Sequence, residues 1–358
     1  MQFSIAVNLQ RTDPAQDTRK LLREMLELVQ VAEQGGFEIA WAAEHHTIEL
    51  MAGPNPFTML MQWAAHTSRI RLGTAVVVAP YWHPIRVAGE AALFDIMSDG
   101  RLELGLGRGA FQYEFNRMAG GMDQREGGRY LREMLPVLLG LWRGNFEHAG
   151  EIWRFPSSTS VPKPLQTPHP PVWVAARDPE TFAWAVGAGA NIMATPLSRP
   201  HAEVVALGQR FAETLEKFPG IRRPRFLMLR NTCVYPREED WMVPVRAVAE
   251  HNARFANLFG TAGVVDNGFP APVEWGQLAG RDEYKPEIIR DSLMFGTPDQ
   301  VIARLKQYAA VGVDQYCYGA SFGMPHEVAM RSLDLFITKV MPHFQSAASR
   351  ETAGAEDR

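Results

Sequence analysis

The segment Pro171–Ala194, P-V-W-V-A-A-R-D-P-E-T-F-A-W-A-V-G-A-G-A-N-I-M-A, reads as one β-α-β unit. Pro171–Ala175 and Ala190–Ala194 are apolar runs of strand length, and Pro179–Gly187 between them is helical. Apolar strands joined by helices mark a parallel sheet buried on both faces. The unit recurs along the chain. Strands are expected at Phe3–Asn8, Phe37–Ala43, Ile70–Ala79, Leu102–Leu106, Arg225–Tyr235 and Gln315–Gly319. Helices are expected at Asp17–Gly35, Pro56–Thr67, Val87–Met97, Gly128–Trp142, Arg199–Phe218, Thr297–Val311 and Met324–Phe344. Eight such units close most simply into an α/β fold of the (β/α)8 TIM-barrel type; a doubly wound open sheet is the runner-up.

No break in composition marks a second domain, so 1–345 reads as one domain and 346–358 as a flexible polar tail. Two insertions, 145–170 and 238–290, are too long for plain βα loops, and the second reads as a lid. The 358 residues carry a net charge of −4, which supplies neither a basic field for nucleic acid nor a polybasic membrane surface. Cys233 and Cys317 are too few for a disulfide framework, so a reducing, cytoplasmic setting is expected. The opening M-Q-F-S-I-A-V-N alternates like a strand and lacks the basic start of a signal peptide.

In a (β/α)8 barrel the chemistry lies at the C-terminal ends of the strands. The second strand delivers Glu44, His45 and His46 there, the third Tyr81, Trp82 and His83, and the fourth Arg108 within G-L-G-R-G. The fifth ends in Ala175, Arg177 and Asp178, with Thr181 opening the next helix. Two arginines on neighbouring strands and a helix N-terminus suit a phosphate; the alternative is that both arginines pair with carboxylates on other loops. Adjacent histidines on a strand point to opposite faces, which argues against one shared metal ion and leaves the metal-ligand set empty. One of the two then faces the mouth while the other packs or bonds Glu44. Trp153, Phe155, Phe259, Phe269 and Trp275 suggest an apolar substrate pocket or ordinary packing.

Several of these stretches, taken together and in order, resemble bacterial luciferase and its flavin-dependent relatives. They are E-H-H (Glu44–His46), G-T-A-V-V-V-A-P-Y-W-H-P-I-R (Gly73–Arg86) and S-D-G-R-L-E-L-G-L-G-R-G (Ser98–Gly109). P-V-W-V-A-A-R-D-P-E-T-F-A-W-A, F-G-T-P-D-Q-V-I-A-R-L (Phe295–Leu305) and L-D-L-F-I-T-K-V-M-P-H-F (Leu333–Phe344) continue the match. The resemblance implies a (β/α)8 barrel that takes reduced FMN from a separate NAD(P)H:flavin reductase. It implies reaction with dioxygen through a flavin 4a-hydroperoxide, oxidation of a small organic substrate, and a homodimer formed through the first helices. It makes His45 the catalytic histidine, with Glu44 and His46 orienting it, and His83 a second pocket histidine. It places Ala75 and Val76 against the flavin, often through a non-proline cis peptide, assigns the phosphate to Arg108 and to the stretch with Arg177, Asp178 and Thr181, and adds Ala175 to the cofactor-binding residues. Gly107 stands where luciferase has a reactive cysteine, which implies a monooxygenase rather than a light emitter. The competing implications are hydride transfer with a 5-deazaflavin coenzyme and a flavin-binding protein without turnover.

Overall fold

A computed structural model describes residues 1–259, 264–273, 281 and 284–344. The strands β1 (Gln2–Ala6), β2 (Ile39–Ala42), β3 (Arg71–Thr74), β4 (Leu102–Gly107), β5 (Val172–Ala175), β6 (Asn191–Ala194), β7 (Phe226–Val234) and β8 (Gln315–Gly319) pair in parallel, in sequence order. β8 then pairs with β1, from Gln2 opposite Gln315 to Ala6 opposite Gly319. That ladder closes the barrel and excludes the open sheet. The helices are α1 (Thr18–Gln34), α2 (Pro56–Ala64), α3 (Pro84–Met97), α4 (Gln112–Met118), α5 (Gly127–Arg143), α6 (Pro179–Gly187), α7 (His201–Glu216), α8 (Met242–Phe259), α9 (Pro286–Ser292), α10 (Pro298–Ala310) and α11 (His326–Leu335). Local chemistry starts several of them: the Asp17, Asn55 and Asp178 side chains accept N–H bonds from α1, α2 and α6, and Thr297 with Gln300 forms a capping box on α10.

Strand residues alternate between two cores. Phe3, Ile5, Ala40, Leu72, Leu104, Val174 and Ile192 face the helices, while Ala6, Ile39, Trp41, Trp173, Met193, Leu227 and Cys317 fill the barrel. Trp41 and Trp173 meet edge to face at 5.5 Å across the interior. Space for them exists because β3 has glycine at position 73, where a Cβ would sit 2.2 Å from the Trp41 ring. Below them, at the N-terminal end, Trp173 Nε1–H donates to Glu103 at 2.6 Å and Arg225 donates to Glu38 at 2.9 Å, sealing the barrel floor.

Four expectations are corrected. The third strand is not continuous: β3 stops at Thr74, the Ala75–Val76 peptide is cis as the resemblance implied, and Val77–Val78 resumes pairing with β4. The third helix begins at Pro84, so His83 is its N-cap rather than the end of a strand. The closing helix is α11 only, followed by a π turn at Phe336–Val340 and a 3-10 turn at Met341–His343. The 145–170 insertion is not irregular: Phe146–Ala149 and Arg154–Ser158 form an antiparallel hairpin. Its Phe146 and His148 lie against Gly140 and Glu133 of α5, so it lines the helix layer. No helix among the described residues is long and apolar enough to cross a membrane. The tail expected at 346–358 and Trp275 of the expected pocket lie outside the described residues.

Candidate active site

Beyond Ala42 the chain turns through Glu44, His45 and His46, and the three side chains separate. The Glu44 carboxylate is fully buried and accepts bonds from Val78 N–H at 2.8 Å, Trp82 Nε1–H at 2.9 Å and His46 Nε2–H at 2.7 Å. It therefore ties the segment after the cis peptide to the segment after β2. His45 donates from Nδ1 to Glu114 Oε2 at 3.2 Å and stacks on Phe111 with ring centroids 5.1 Å apart. The second oxygen of Glu114 accepts the His46 backbone N–H at 2.6 Å. The orientation of His45 thus comes from Glu114, not from Glu44 and His46. Nothing in the sequence pointed to Glu114: α4 has seven residues, too few for a periodic signal. Tyr81 lies edge-on to His46, and its buried hydroxyl has no hydrogen-bond partner among the described residues. Burial and the charges of Glu114 and Glu44 push its phenol far upward.

His83 caps α3 by accepting the Ile85 N–H at 3.3 Å, and its exposed ring lies 5.8 Å from Phe155 of the outer hairpin. No contact among the described residues joins it to His45. Trp153 packs edge-on against Tyr130 of α5, also away from the mouth.

Arg108, Arg177 and Arg199 follow β4, β5 and β6, and Arg199, largely exposed, pairs with Glu203 at 3.5 Å. Arg108 donates to the Gln124 carbonyl at 3.0 Å. The Arg177 guanidinium has no hydrogen-bond partner among the described residues, and burial with the charges of Arg199 and Arg108 holds it below the usual arginine range. Arg199, missed by sequence reading, is carried by a loop whose Leu197 and Arg199 carbonyls accept 2.9 Å bonds from the buried Arg230 guanidinium. At the start of α6 the Thr181 donors are already engaged. The Thr181 N–H and hydroxyl both donate to Asp178 at 2.8 Å. Burial would raise the Asp178 carboxyl, but these bonds and Arg108 bring it below the usual range. Beside this cationic corner, Ala75, Val76, Ala175 and Leu229 are partly exposed on the barrel's interior stack and form an apolar floor.

The described parts of the 238–290 insertion roof the mouth. On α8, His251 meets Gln10, Phe255 meets Phe111 edge-on at 5.3 Å, and Asn252 donates to Ser198 at 3.1 Å. Beyond the helix, the Gly268 carbonyl accepts the Glu49 N–H at 2.7 Å, and Arg11 lies over the Phe269 ring at 5.2 Å.

Residues 1–315 match the family profile described as luciferase-like monooxygenase. The chain belongs to this family. As a luciferase-like monooxygenase it is an enzyme. It is 42% identical over 347 residues to the oxygenase component of a flavin-dependent trigonelline monooxygenase from Acinetobacter baylyi, a match covering 97% of this chain and 96% of the relative. It is 26% identical over 301 residues to an FMNH2-dependent dimethylsulfone monooxygenase from Pseudomonas putida, covering 80% of each. The crystal structure of the monooxygenase RslO1 from Streptomyces bottropensis superposes with a TM-score of 0.80 at 26% identity, over 96% of this chain and all of that one. The luciferase-like monooxygenase barrel is therefore shared as well as the sequence.

Proposed function

We propose that this enzyme is the oxygenase component of a two-component system. It takes reduced FMN from a separate NAD(P)H:flavin reductase and transfers one oxygen atom of dioxygen to a small organic substrate. The observation that carries the reading is the unpartnered Arg177 guanidinium, flanked by Arg108 and Arg199, beside the floor of Ala75, Val76 and Ala175. A dianionic phosphate answers three cations, and a flat apolar ring answers the floor. Reduced FMN, when bound, supplies the electrons that activate dioxygen.

The chain's own residues do the rest. Arg108, Arg177 and Arg199 hold the phosphate. Thr181 acts indirectly, since its donors hold Asp178 in place at the helix start. His45 has Nδ1 engaged by Glu114, which leaves Nε2 to exchange a proton with the reacting oxygen. Glu44 positions Trp82 and the strand segment under the ring. The roof formed by α8 excludes water.

The substrate we propose is a small heteroaromatic carboxylate of the trigonelline kind, an N-methylated pyridinium bearing a carboxylate. Support comes from the relative with 42% identity, and from Trp153 and Phe155 lying on the outer hairpin instead of forming an apolar pocket. We also propose a homodimer. Its support is the exposed apolar face of α3, formed by Leu93, Ile96 and Met97, in place of the first helix, whose Met25, Leu28 and Val29 are buried.

The test is isotope-labelled dioxygen with trigonelline, FMN and a flavin reductase. One labelled oxygen atom in the product is the expected outcome. Oxidation of substrate by a 5-deazaflavin coenzyme without oxygen uptake would overturn the reading, as would flavin binding with no turnover.

A further inference from the structure

We infer that His251, on the roof helix α8, recognises the substrate: its Nε2–H donates a hydrogen bond to a carboxylate oxygen of a small heteroaromatic acid held at the mouth. The inference rests on the substrate class proposed above. The Gln10 side-chain amide, in the loop after β1, donates to His251 Nδ1 at 2.5 Å. A neutral imidazole that accepts at Nδ1 carries its own hydrogen on Nε2. Burial pushes this imidazole down to about 4, so it is neutral near pH 7 and the tautomer holds.

Nε2 has no partner among the described residues. The His251 side chain is partly exposed, not sealed in the core. The ring is part of an aromatic column. It stacks on Phe255 at 5.6 Å, Phe255 meets Phe111 at 5.3 Å, and Phe111 stacks on His45 at 5.1 Å. The donor is thus fixed by Gln10 at one end and tied through two phenylalanines to His45 at the other.

Such a donor suits a zwitterion. A lysine or arginine at position 251 would attract the carboxylate but repel the positive ring nitrogen. A neutral N–H reads the oxygen and adds no charge, and nearby aromatic faces favour a cationic ring.

The experiment compares wild type with His251→Phe, His251→Gln and Gln10→Leu in the reconstituted two-component assay with trigonelline, alongside FMN binding. His251→Phe is expected to raise KM for trigonelline by about 20-fold, the loss of one hydrogen bond to a charged group. The FMN dissociation constant is expected to stay at the wild-type value. His251→Gln, which keeps an amide donor, is expected to recover most of the loss. An unchanged KM in a folded His251→Phe enzyme that turns trigonelline over would overturn the inference and leave the substrate reading intact. A wild type that neither binds nor oxidises trigonelline would remove both. Should His251→Phe fail to fold, Gln10→Leu decides: a raised KM supports the role and a wild-type KM refutes it.

Discussion

His45 donates through Nδ1 to Glu114 Oε2 at 3.2 Å, across 69 positions of sequence. The neighbouring His46 turns to a different carboxylate, Glu44, at 2.7 Å. Two adjacent histidines are thus held by two buried acids that share no partner side chain, and only one of the pairs stacks with the aromatic column of the roof. The division assigns them different work.

His45→Ala is expected to lower kcat by about 100-fold, within the range of a lost proton donor or base, while FMN binding changes little. Glu114→Gln, which keeps a hydrogen-bonding side chain but loses the charge, should fall between wild type and His45→Ala. Product formation measured with hydrogen peroxide release checks both, and wild-type turnover in His45→Ala would refute the role.

Arg177→Gln should weaken FMN by about 10- to 100-fold through the phosphate alone. Riboflavin, which lacks the phosphate, should bind as before. Fluorescence titration with both ligands separates this from general damage to the pocket, which would weaken the two equally.

Glu44→Leu removes the acceptor shared by Val78 N–H, Trp82 Nε1–H and His46 Nε2–H. Stranding buried donors should cost about 3 kcal/mol or more, and Glu44→Gln clearly less. Urea unfolding gives the difference; a Glu44→Leu midpoint equal to wild type would show that Glu44 does not tie the two segments together.

Gly107→Cys places a side chain where a Cβ would lie 2.4 Å from Val76 Cγ2. Overpacking of about 1–3 kcal/mol is expected. The luciferase-type cysteine is therefore excluded here by the valine across from it, and Val76→Ala should restore most of the stability of Gly107→Cys.

Acidification should destabilise the protein partly through His201. Burial, then Arg230 and Arg304, push its imidazole down to about 3 from an ordinary 6.5. Between those values the unfolded chain binds a proton that the folded chain refuses, so this stability is complete above about 6.5 and is lost as pH falls towards 3. His201→Gln should flatten the dependence of the urea midpoint on pH between neutral and mildly acidic buffers, and an unchanged slope would contradict the assignment.

Sequence by itself determined the repeated strand–helix units of a parallel sheet. Apolar strands of the Val172–Ala175 kind, separated by amphipathic helices with their own caps, fix a parallel sheet because each link is local and repeated, and the β8–β1 ladder then decides closure over the open sheet. Sequence also placed His45, Arg108 and Arg177 after strand ends, since position on a strand fixes position at the mouth, while the Ala75–Val76 cis peptide followed from the family resemblance alone. Tertiary structure alone decided their partners. Glu114 and Arg199 come from a seven-residue helix and a loop, neither with a period that sequence can read, and His251 from an insertion helix whose place over the barrel is set by tertiary contacts. His83 and Glu44 show the converse. Each stands beside the right strand, yet a helix N-cap takes one outward and three buried donors draw the other inward. Which way a side chain turns at a strand end depends on the hydrogen-bonding groups brought to it by distant segments, and those are set only when the barrel closes.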